Sequence, residues 1–159
     1  MTDKEKFMKA ALREAEKAYQ KGETPIGAVI VKDGKIIARA HNLRETKKNA
    51  LYHAELLAIN KACKKLGGWR LHECDLYVTL EPCVMCSGAI VQARIKNLYF
   101  GASDKKGGAV VSIAAIPFID KLTHRTNCEG GILSEECSEI LKSFFRNLRI
   151  IKKQNLTNN

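Results

Sequence analysis

The sequence predicts a single α/β domain in which a mixed β-sheet lies between helices on both faces. Its 159 residues suit one domain. A turn signal at Asp33-Gly34 joins two apolar segments, as in a β-hairpin. Strand-like segments at 76–80 and 96–100 flank a segment long enough for about three helical turns, which predicts a parallel pair with a right-handed crossover. We assign the domain to residues 1–151 and expect 152–159 to form a frayed tail.

Capping and periodicity predict the elements of the N-terminal half. Thr2 and Glu5 have the spacing of a capping box, and apolar residues then recur at helical spacing until Gly22. The hairpin follows at 26–38. A second helix ends at Gly67-Gly68 and carries the apolar residues Leu56, Leu57, Ile59 and Cys63.

In the C-terminal half, a helix at 84–94 connects the two parallel strands, and a last helix follows. Ser134 is the expected N-cap of that last helix, because Glu135 and Glu136 come directly after it. The expected apolar face consists of Cys137, Ile140, Leu141, Phe144 and Leu148.

Composition and charge exclude several classes of protein. With 45% hydrophobic and 28% charged residues, the chain is not disordered throughout. It has no apolar segment near the roughly 18 residues of a membrane helix and no apolar secretory signal behind Met1, so we expect a cytoplasmic protein without a membrane anchor.

The chain is strongly basic. Lys plus Arg total 27 against 17 Asp plus Glu, a formal charge of +10. This surplus favours an anionic partner, nucleic acid before membrane, although a solvated basic surface explains the charge equally well.

Two short segments carry the residues of a possible metal site. His53-Ala54-Glu55 opens the second helix, and Pro82-Cys83-Val84-Met85-Cys86 lies where a strand leads into a helix. Cysteines three apart on a helical turn share one face, and a helix N-terminus stabilises the thiolates that zinc requires. With His53 they make three zinc-type ligands, the number found in a catalytic site that keeps one position for water.

Glu55 is the expected catalytic acid–base. Zinc lowers the pKa of a bound water toward ~7, and a nearby carboxylate can take and return its proton. Residues two apart on a helix diverge by roughly 200°. His53 and Glu55 can therefore share a site only if His53 projects from the very start of the helix.

Other interpretations of the six cysteines explain less. A thioredoxin-like redox role for Cys83 and Cys86 leaves His53 and Glu55 without a function. A structural zinc site would need a fourth ligand, and the remaining donors (Cys74, Cys128, His72 and His124) do not occur at paired ligand spacing. Cys63 and Cys137 lie on apolar helical faces and are predicted to be core residues.

His-x-Glu followed by Pro-Cys-x-x-Cys is the signature of the zinc-dependent nucleobase deaminases. Beyond this motif, the chain resembles bacterial tRNA-specific adenosine deaminases over nearly its whole length, at Asn42 and Lys106 and at residues 25–29, 76–86, 88–90, 101–104, 108–109 and 129–130. The resemblance implies a three-layer α/β/α cytidine-deaminase-like fold with a five-stranded mixed sheet. It also implies a homodimer, one Zn²⁺ per chain, and conversion of the wobble adenosine of a tRNA anticodon to inosine.

The resemblance also implies roles for individual residues. Asn42 would contact the flipped base, and Asp104 and Lys106 would lie near the nucleotide or its neighbours. Phe144 or Phe145, together with Arg146, would meet the anticodon loop.

Two alternatives remain. A free-base or nucleoside deaminase, acting on guanine or cytidine, would use the same zinc chemistry, but it would not need the basic last helix with Lys142, Arg146, Arg149, Lys152 and Lys153. A non-catalytic zinc-containing RNA-binding subunit would not need the proton-transferring Glu55.

Overall fold

In the computed structural model, which describes residues 1–158, five strands form one mixed sheet. The strands are β1 (Gly27–Lys32), β2 (Lys35–His41), β3 (Cys74–Leu80), β4 (Asn97–Ala102) and β5 (Asn127–Glu129), in the order β2-β1-β3-β4-β5. β1 is antiparallel to both of its neighbours, whereas β3, β4 and β5 are parallel.

Helices cover both faces of this sheet. They are α1 (Asp3–Gln20), α2 (Ala54–Leu66), α3 (Val84–Gln92) and α4 (Ser134–Thr157), and a short 3₁₀ helix spans Ile116–Phe118. α1 and α4 pack together against one face of the sheet, while α2 packs on the other face beside α3. The predicted three-layer α/β/α arrangement and the five-stranded mixed sheet are therefore confirmed.

Local signals fixed the first helix and the hairpin as predicted. The Thr2 hydroxyl accepts a hydrogen bond from the backbone N–H of Glu5 at 3.1 Å, and the Glu5 carboxylate accepts one from the N–H of Thr2 at 3.1 Å. Asp33 and Gly34 both have positive φ values, 51° and 73°, which is the geometry of the two-residue hairpin turn.

The start and end of α4 differ from the prediction. Its N-cap is Leu133, with a φ of 52°, and Ser134 is already helical and makes no capping bond, so the prediction of a Ser134 cap is wrong. The helix continues to Thr157, beyond residue 152, where the sequence analysis places the start of a frayed tail. The Thr157 hydroxyl donates to the carbonyls of Lys153 and Gln154 in that last turn, although the side chains there are exposed.

The core face of α2 is built from alanine. Ala54, Ala58 and Ala62, spaced four apart, are fully buried. The larger apolar residues of this helix are half-buried, and they include Cys63, which was predicted to be a core residue: Leu56, Leu57, Ile59 and Cys63. Small side chains let α2 lie close to β1 and β2, and the larger ones are displaced to its flank. There they line a groove of about 540 Å³ together with residues of α3 and with Trp69, which is 51% exposed.

Two further features complete the fold. β5 was not predicted from the residues, since this edge strand has only three residues and no apolar alternation. Within residues 1–158, none of the helices combines the length and the apolar character that crossing a bilayer requires.

Candidate metal centre and active site

Two helix N-termini bring the predicted metal ligands together. His53 is the N-cap of α2, with φ −79° and ψ 151°, and Cys83 is the N-cap of α3, with φ −73° and ψ 179°. Neither side chain makes a capping hydrogen bond, so both are available for other contacts. The extended backbone at His53 is the condition under which it can share a site with Glu55 in the first turn of α2.

The three donor atoms have the spacing of a metal site. The Sγ atoms of Cys83 and Cys86 lie 3.7 and 3.6 Å from Nδ1 of His53, and all three donors lie within 4.8 Å of one another. Tetrahedral zinc with ordinary Zn–S and Zn–N bonds would separate a sulfur from a nitrogen ligand by about 3.5 Å. One nitrogen and two sulfurs also form a donor set that zinc prefers. The residues present therefore fit a zinc ion.

The two thiols differ in acidity because they share one hydrogen bond. The hydrogen bond from Cys86 lowers the pKa of the Cys83 thiol to about 4, against the effect of burial, and the imidazole of His53 lowers it further. The same interaction and burial raise the pKa of Cys86. The side-chain contact with Cys83 also raises the pKa of His53. The pair thus favours one thiolate beside the imidazole, the charge that attracts a cation.

Glu55 is a buried carboxyl group next to these donors. It is 4% exposed, and burial raises its pKa to about 7, with a further upward contribution from the negative charge of Cys83. A carboxyl group that titrates near neutral pH can both accept and donate a proton, which is what a general acid–base requires. The structure thus places a carboxyl group that could transfer a proton beside three donors that could hold a metal ion.

A small cavity of about 80 Å³ opens at His53. Asn42 lines it, and its side chain is held by two bonds: Nδ2 donates to the carbonyl of Thr24, and Oδ1 accepts from the N–H of Arg44. Arg44 lines the same cavity, and nothing in the sequence analysis singled it out. The signal would have been a basic side chain two residues after Asn42, which the sequence analysis expects to contact the base.

Asp104 and Lys106 lie outside this cavity, in the loop that follows β4. The Asp104 carboxylate accepts hydrogen bonds from the N–H groups of Lys106 and Gly107, and so shapes its own loop. The Lys106 side chain is exposed. Glu81, directly before Pro82, accepts from this loop and was missed by the sequence analysis, although an acid inside an apolar strand end signals a buried partner.

Phe145 and Arg146 lie at a different surface. Together with Lys142, Arg149 and Ser103 they line an open cavity of about 500 Å³ between α4 and the end of β4. Ser103 precedes Asp104, so this basic surface begins at the same loop. Phe144 is buried, whereas Phe145 is 42% exposed, which separates the core residue from the one that can meet a ligand.

The fold and the site define a deaminase. The family model of the MafB19-like deaminases matches residues 2–149, and the chain belongs to that family.

The relatives of the chain show which group of deaminases it belongs to. The tRNA-specific adenosine deaminase of Bacillus subtilis (strain 168) is 52% identical over 153 residues, which cover 96% of this chain and 95% of the relative. At this identity and coverage, the chain belongs to the tRNA-specific adenosine deaminases.

Among the solved structures that are similar to the chain, two are informative about its activity. One, from a study of A-to-I editing by tRNA:A34 deaminases at the wobble position of transfer RNA, is 46% identical with a TM-score of 0.83, over 86% of this chain and 99% of that one. The guanine deaminase of Bacillus subtilis is 47% identical with a TM-score of 0.60, over 62% of this chain and 64% of that one.

Proposed function

We propose that this chain hydrolyses the 6-amino group of the wobble adenosine in a tRNA anticodon, giving inosine and ammonia. The observation that carries the proposal is the buried Glu55 beside the His53, Cys83 and Cys86 donors, in a chain that belongs to a tRNA-specific adenosine deaminase family. Water supplies the new oxygen at C6, and the amino group leaves with the protons that it gains.

His53, Cys83 and Cys86 would hold one zinc ion per chain. When bound there, zinc would supply Lewis-acid activation of water. Glu55 would take a proton from the attacking water and return protons to the ring nitrogen and to the departing amine, because ammonia is a far better leaving group than an amide ion. Asn42, held by Thr24 and Arg44, would orient the base at the mouth of the site.

The basic face of α4 supports an RNA substrate. Lys142, Arg146, Arg149 and Lys153 recur at intervals of four, three and four residues, so their exposed side chains follow one face of the helix. Phe145 adds an exposed ring next to this face, and base–aromatic stacking contributes ~1–3 kcal/mol per base. Asp104 and Lys106 would contact the nucleotide or its neighbours from the adjoining loop.

We also propose a homodimer in the cytoplasm, where the substrate tRNA occurs. The groove between α2 and α3 supports a second copy as its occupant, since Leu51 and Trp69 are exposed along it and Leu56 is only half-buried. Sedimentation of the wild type and of Leu56→Asp would test this. We expect a dimer mass for the wild type and a monomer mass for the variant, and a monomeric wild type would refute the proposal.

The substrate is tested by offering RNA and free bases to the same zinc-loaded enzyme. We would incubate it with a tRNA carrying adenosine at the wobble position, with the same tRNA carrying guanosine there, and with free adenosine, cytidine and guanine. We expect inosine only in the first tRNA and little turnover of the free compounds. The similarity to a guanine deaminase structure makes guanine the informative competitor. Rapid release of ammonia from guanine, with no inosine in tRNA, would reject the proposal.

A further inference from the structure

Glu81 makes five hydrogen bonds to the loop that follows β4. Its Oε1 accepts from the N–H of Asp104 at 3.1 Å and from the hydroxyl of Ser112 at 2.5 Å. Its Oε2 accepts from three consecutive N–H groups, those of Val110, Val111 and Ser112, at 3.0–3.1 Å. The Glu81 side chain is almost fully buried, at 2% exposure. One carboxylate therefore binds both ends of the segment 104–112.

The approach of this loop to Glu81 requires a glycine at position 108. A Cβ atom on Gly108 would lie 2.3 Å from the carboxyl carbon of Glu81 and 2.6 Å from each carboxyl oxygen, distances that real Cβ atoms do not adopt. The chain has no such atom there, and Gly108 is buried against the carboxylate. The Glu81 carboxylate is therefore both packed against Gly108 and hydrogen-bonded to the loop on either side of it.

Glu81 also lies directly before the segment that carries the proposed metal ligand Cys83. It is followed by Pro82 and then by Cys83, the N-cap of α3. Backbone bonds reinforce this connection, because the N–H of Ala109 donates to the carbonyl of Pro82 at 2.8 Å and the N–H of Glu81 donates to the carbonyl of Ala102 at 2.8 Å. The loop is therefore attached to the strand end that carries a metal ligand.

Both carboxyl oxygens of Glu81 are shared among these donors. Oε1 accepts two of the five hydrogen bonds and Oε2 accepts three, inside a buried site that Gly108 closes. Opening the loop would break all five bonds at once, so the contact holds the loop in place.

We propose that Glu81 is a positioning residue, which locks the 104–112 loop to the Pro82-Cys83 segment and so sets where Asp104 and Lys106 meet the substrate. This inference rests on the proposed function, in which those two residues contact the nucleotide. Glu81 itself touches neither metal ligand side chain nor substrate in this role. Its effect passes through the loop.

The test compares four zinc-loaded proteins: the wild type, Glu81→Gln, Gly108→Ala and the control Glu14→Gln. Glu14 is an equally buried carboxylate, but it belongs to α1 and binds Lys17 and His41 instead of a loop. We would measure zinc content, kcat and KM on the wobble-adenosine tRNA, and the rate at which trypsin cuts after Lys105 and Lys106, which lie exposed in the loop. Cleavage after Lys65, at the end of α2, is the internal reference.

We expect both loop variants to keep one zinc per chain, to raise KM roughly tenfold and to change kcat by less than about threefold. The reason is that substrate binding is weakened while the chemical step at Glu55 and the zinc is unchanged. Trypsin should cut after Lys105 or Lys106 roughly tenfold faster in both, with the reference site unchanged. Glu14→Gln should alter neither KM nor loop cleavage. Gly108→Ala keeps the carboxylate, so the inference stays testable even if Glu81→Gln fails to fold.

Three results would overturn the inference. The first is loop cleavage within about twofold of the wild type in both variants. The second is faster cleavage with an unchanged KM, and the third is a loss of zinc that accounts for the lost activity. If the wild type forms no inosine in tRNA, the proposed function fails separately. The KM comparison is then made on the base that the wild type does deaminate, and the cleavage measurement stands as before.

Discussion

His53 and Glu55 lie only two residues apart, yet both reach one site because His53 has an extended backbone outside α2 whereas Glu55 lies in the first turn of that helix. On a regular helix their side chains would diverge by roughly 200°. His53 is one of the three donors that could hold a metal ion, whereas Glu55 is a buried carboxyl group outside that donor group. We therefore expect that metal binding and proton transfer can be removed separately.

Glu55→Gln should keep zinc and lose activity. The amide cannot transfer a proton, and general acid–base catalysis contributes about 10²–10⁴-fold, so we expect kcat to fall by at least the upper end of that range. Inosine formation in a single turnover and metal analysis of the same sample provide the measurement. A variant that retains zinc and near-normal turnover would show that Glu55 is not the acid–base.

Cys86→Ala should lose both the metal and the activity. It removes one of three donors, and two remaining ligands do not hold a structural or catalytic zinc tightly. We expect about one zinc per chain in the wild type and far less in the variant, measured by elemental analysis after dialysis against a weak chelator. Cys128→Ala is the matched control, because Cys128 is a half-buried cysteine outside the donor group. Equal zinc in both variants would contradict the ligand assignment.

Arg149→Ala should weaken binding of tRNA and reduce its salt dependence. A lost phosphate contact lowers the slope of log K against log[salt] by about 0.7–0.9. Arg146→Ala should act in the same direction but less strongly, since the Arg146 guanidinium also pairs with Glu139 at 3.1 Å. Lys65→Ala, on the opposite side of the fold, is the control. Titrations of tRNA at several salt concentrations measure the slope of log K against log[salt]. An unchanged slope for Arg149→Ala would contradict the proposal that α4 contacts the RNA.

Phe144→Ala should mainly lower the free energy of unfolding, whereas Phe145→Ala should mainly weaken tRNA binding. Phe144 is buried and packs edge-on against Tyr19 with ring centroids 5.5 Å apart, so its removal should cost about 3–5 kcal/mol of unfolding free energy. Phe145 is exposed, so Phe145→Ala should change stability little while weakening tRNA binding. Urea unfolding and tRNA titration of the two variants provide the comparison. Equal destabilisation by both would assign Phe145 to the core.

Glu14→Gln should lower stability in a pH-dependent way. The carboxylate accepts hydrogen bonds from Nζ of Lys17 at 2.6 Å and from Nδ1 of His41 at 3.1 Å. Burial opposes its ionisation, but these bonds outweigh burial and hold the pKa of Glu14 below its ordinary 4.5. Because the folded pKa is the lower one, the stabilisation is complete above the unfolded pKa and is lost as the pH falls through the folded value.

We therefore expect Glu14→Gln to cost about 1–3 kcal/mol of unfolding free energy at pH 7 and progressively less below about pH 4.5. Urea unfolding of both proteins at pH 7, 5 and 3.5 measures the difference. A difference that is constant or grows toward low pH would contradict the assignment.

Part of the site could be predicted because it depends on short spacings. The three-residue interval between Cys83 and Cys86 and the start of a helix at His53 limit where these side chains can point. The roles of Asn42, Asp104 and Lys106 came only from the resemblance to a family, and they remain predictions. The hydrogen bonds to Glu81 come from residues 23–31 positions further along the chain, and no local pattern reveals them.

The errors have local and tertiary causes. Ser134 fits the composition of an N-cap, but the chain enters α4 through Leu133 in a left-handed conformation, which moves Ser134 into the helix. In α2, Cys63 was predicted to be a core residue but is only half-buried, because the close approach of the helix to β1 and β2 selects the alanines for the fully buried face. Residue size against the sheet, rather than hydrophobicity, decided that face.

The sequence by itself determined the hairpin, the capped first helix and the two short motifs that carry the donors and the carboxyl group, because each of these depends on residues within a few positions of one another. The parallel crossover followed from the order of a strand, a helix and a second strand along the chain. Only the tertiary structure decided that the donors meet, that Glu55 is buried beside them and that Glu81 holds the loop of Asp104 and Lys106. These relations join residues 23–33 positions apart through packing of the sheet and helices, which spacing along the chain does not encode.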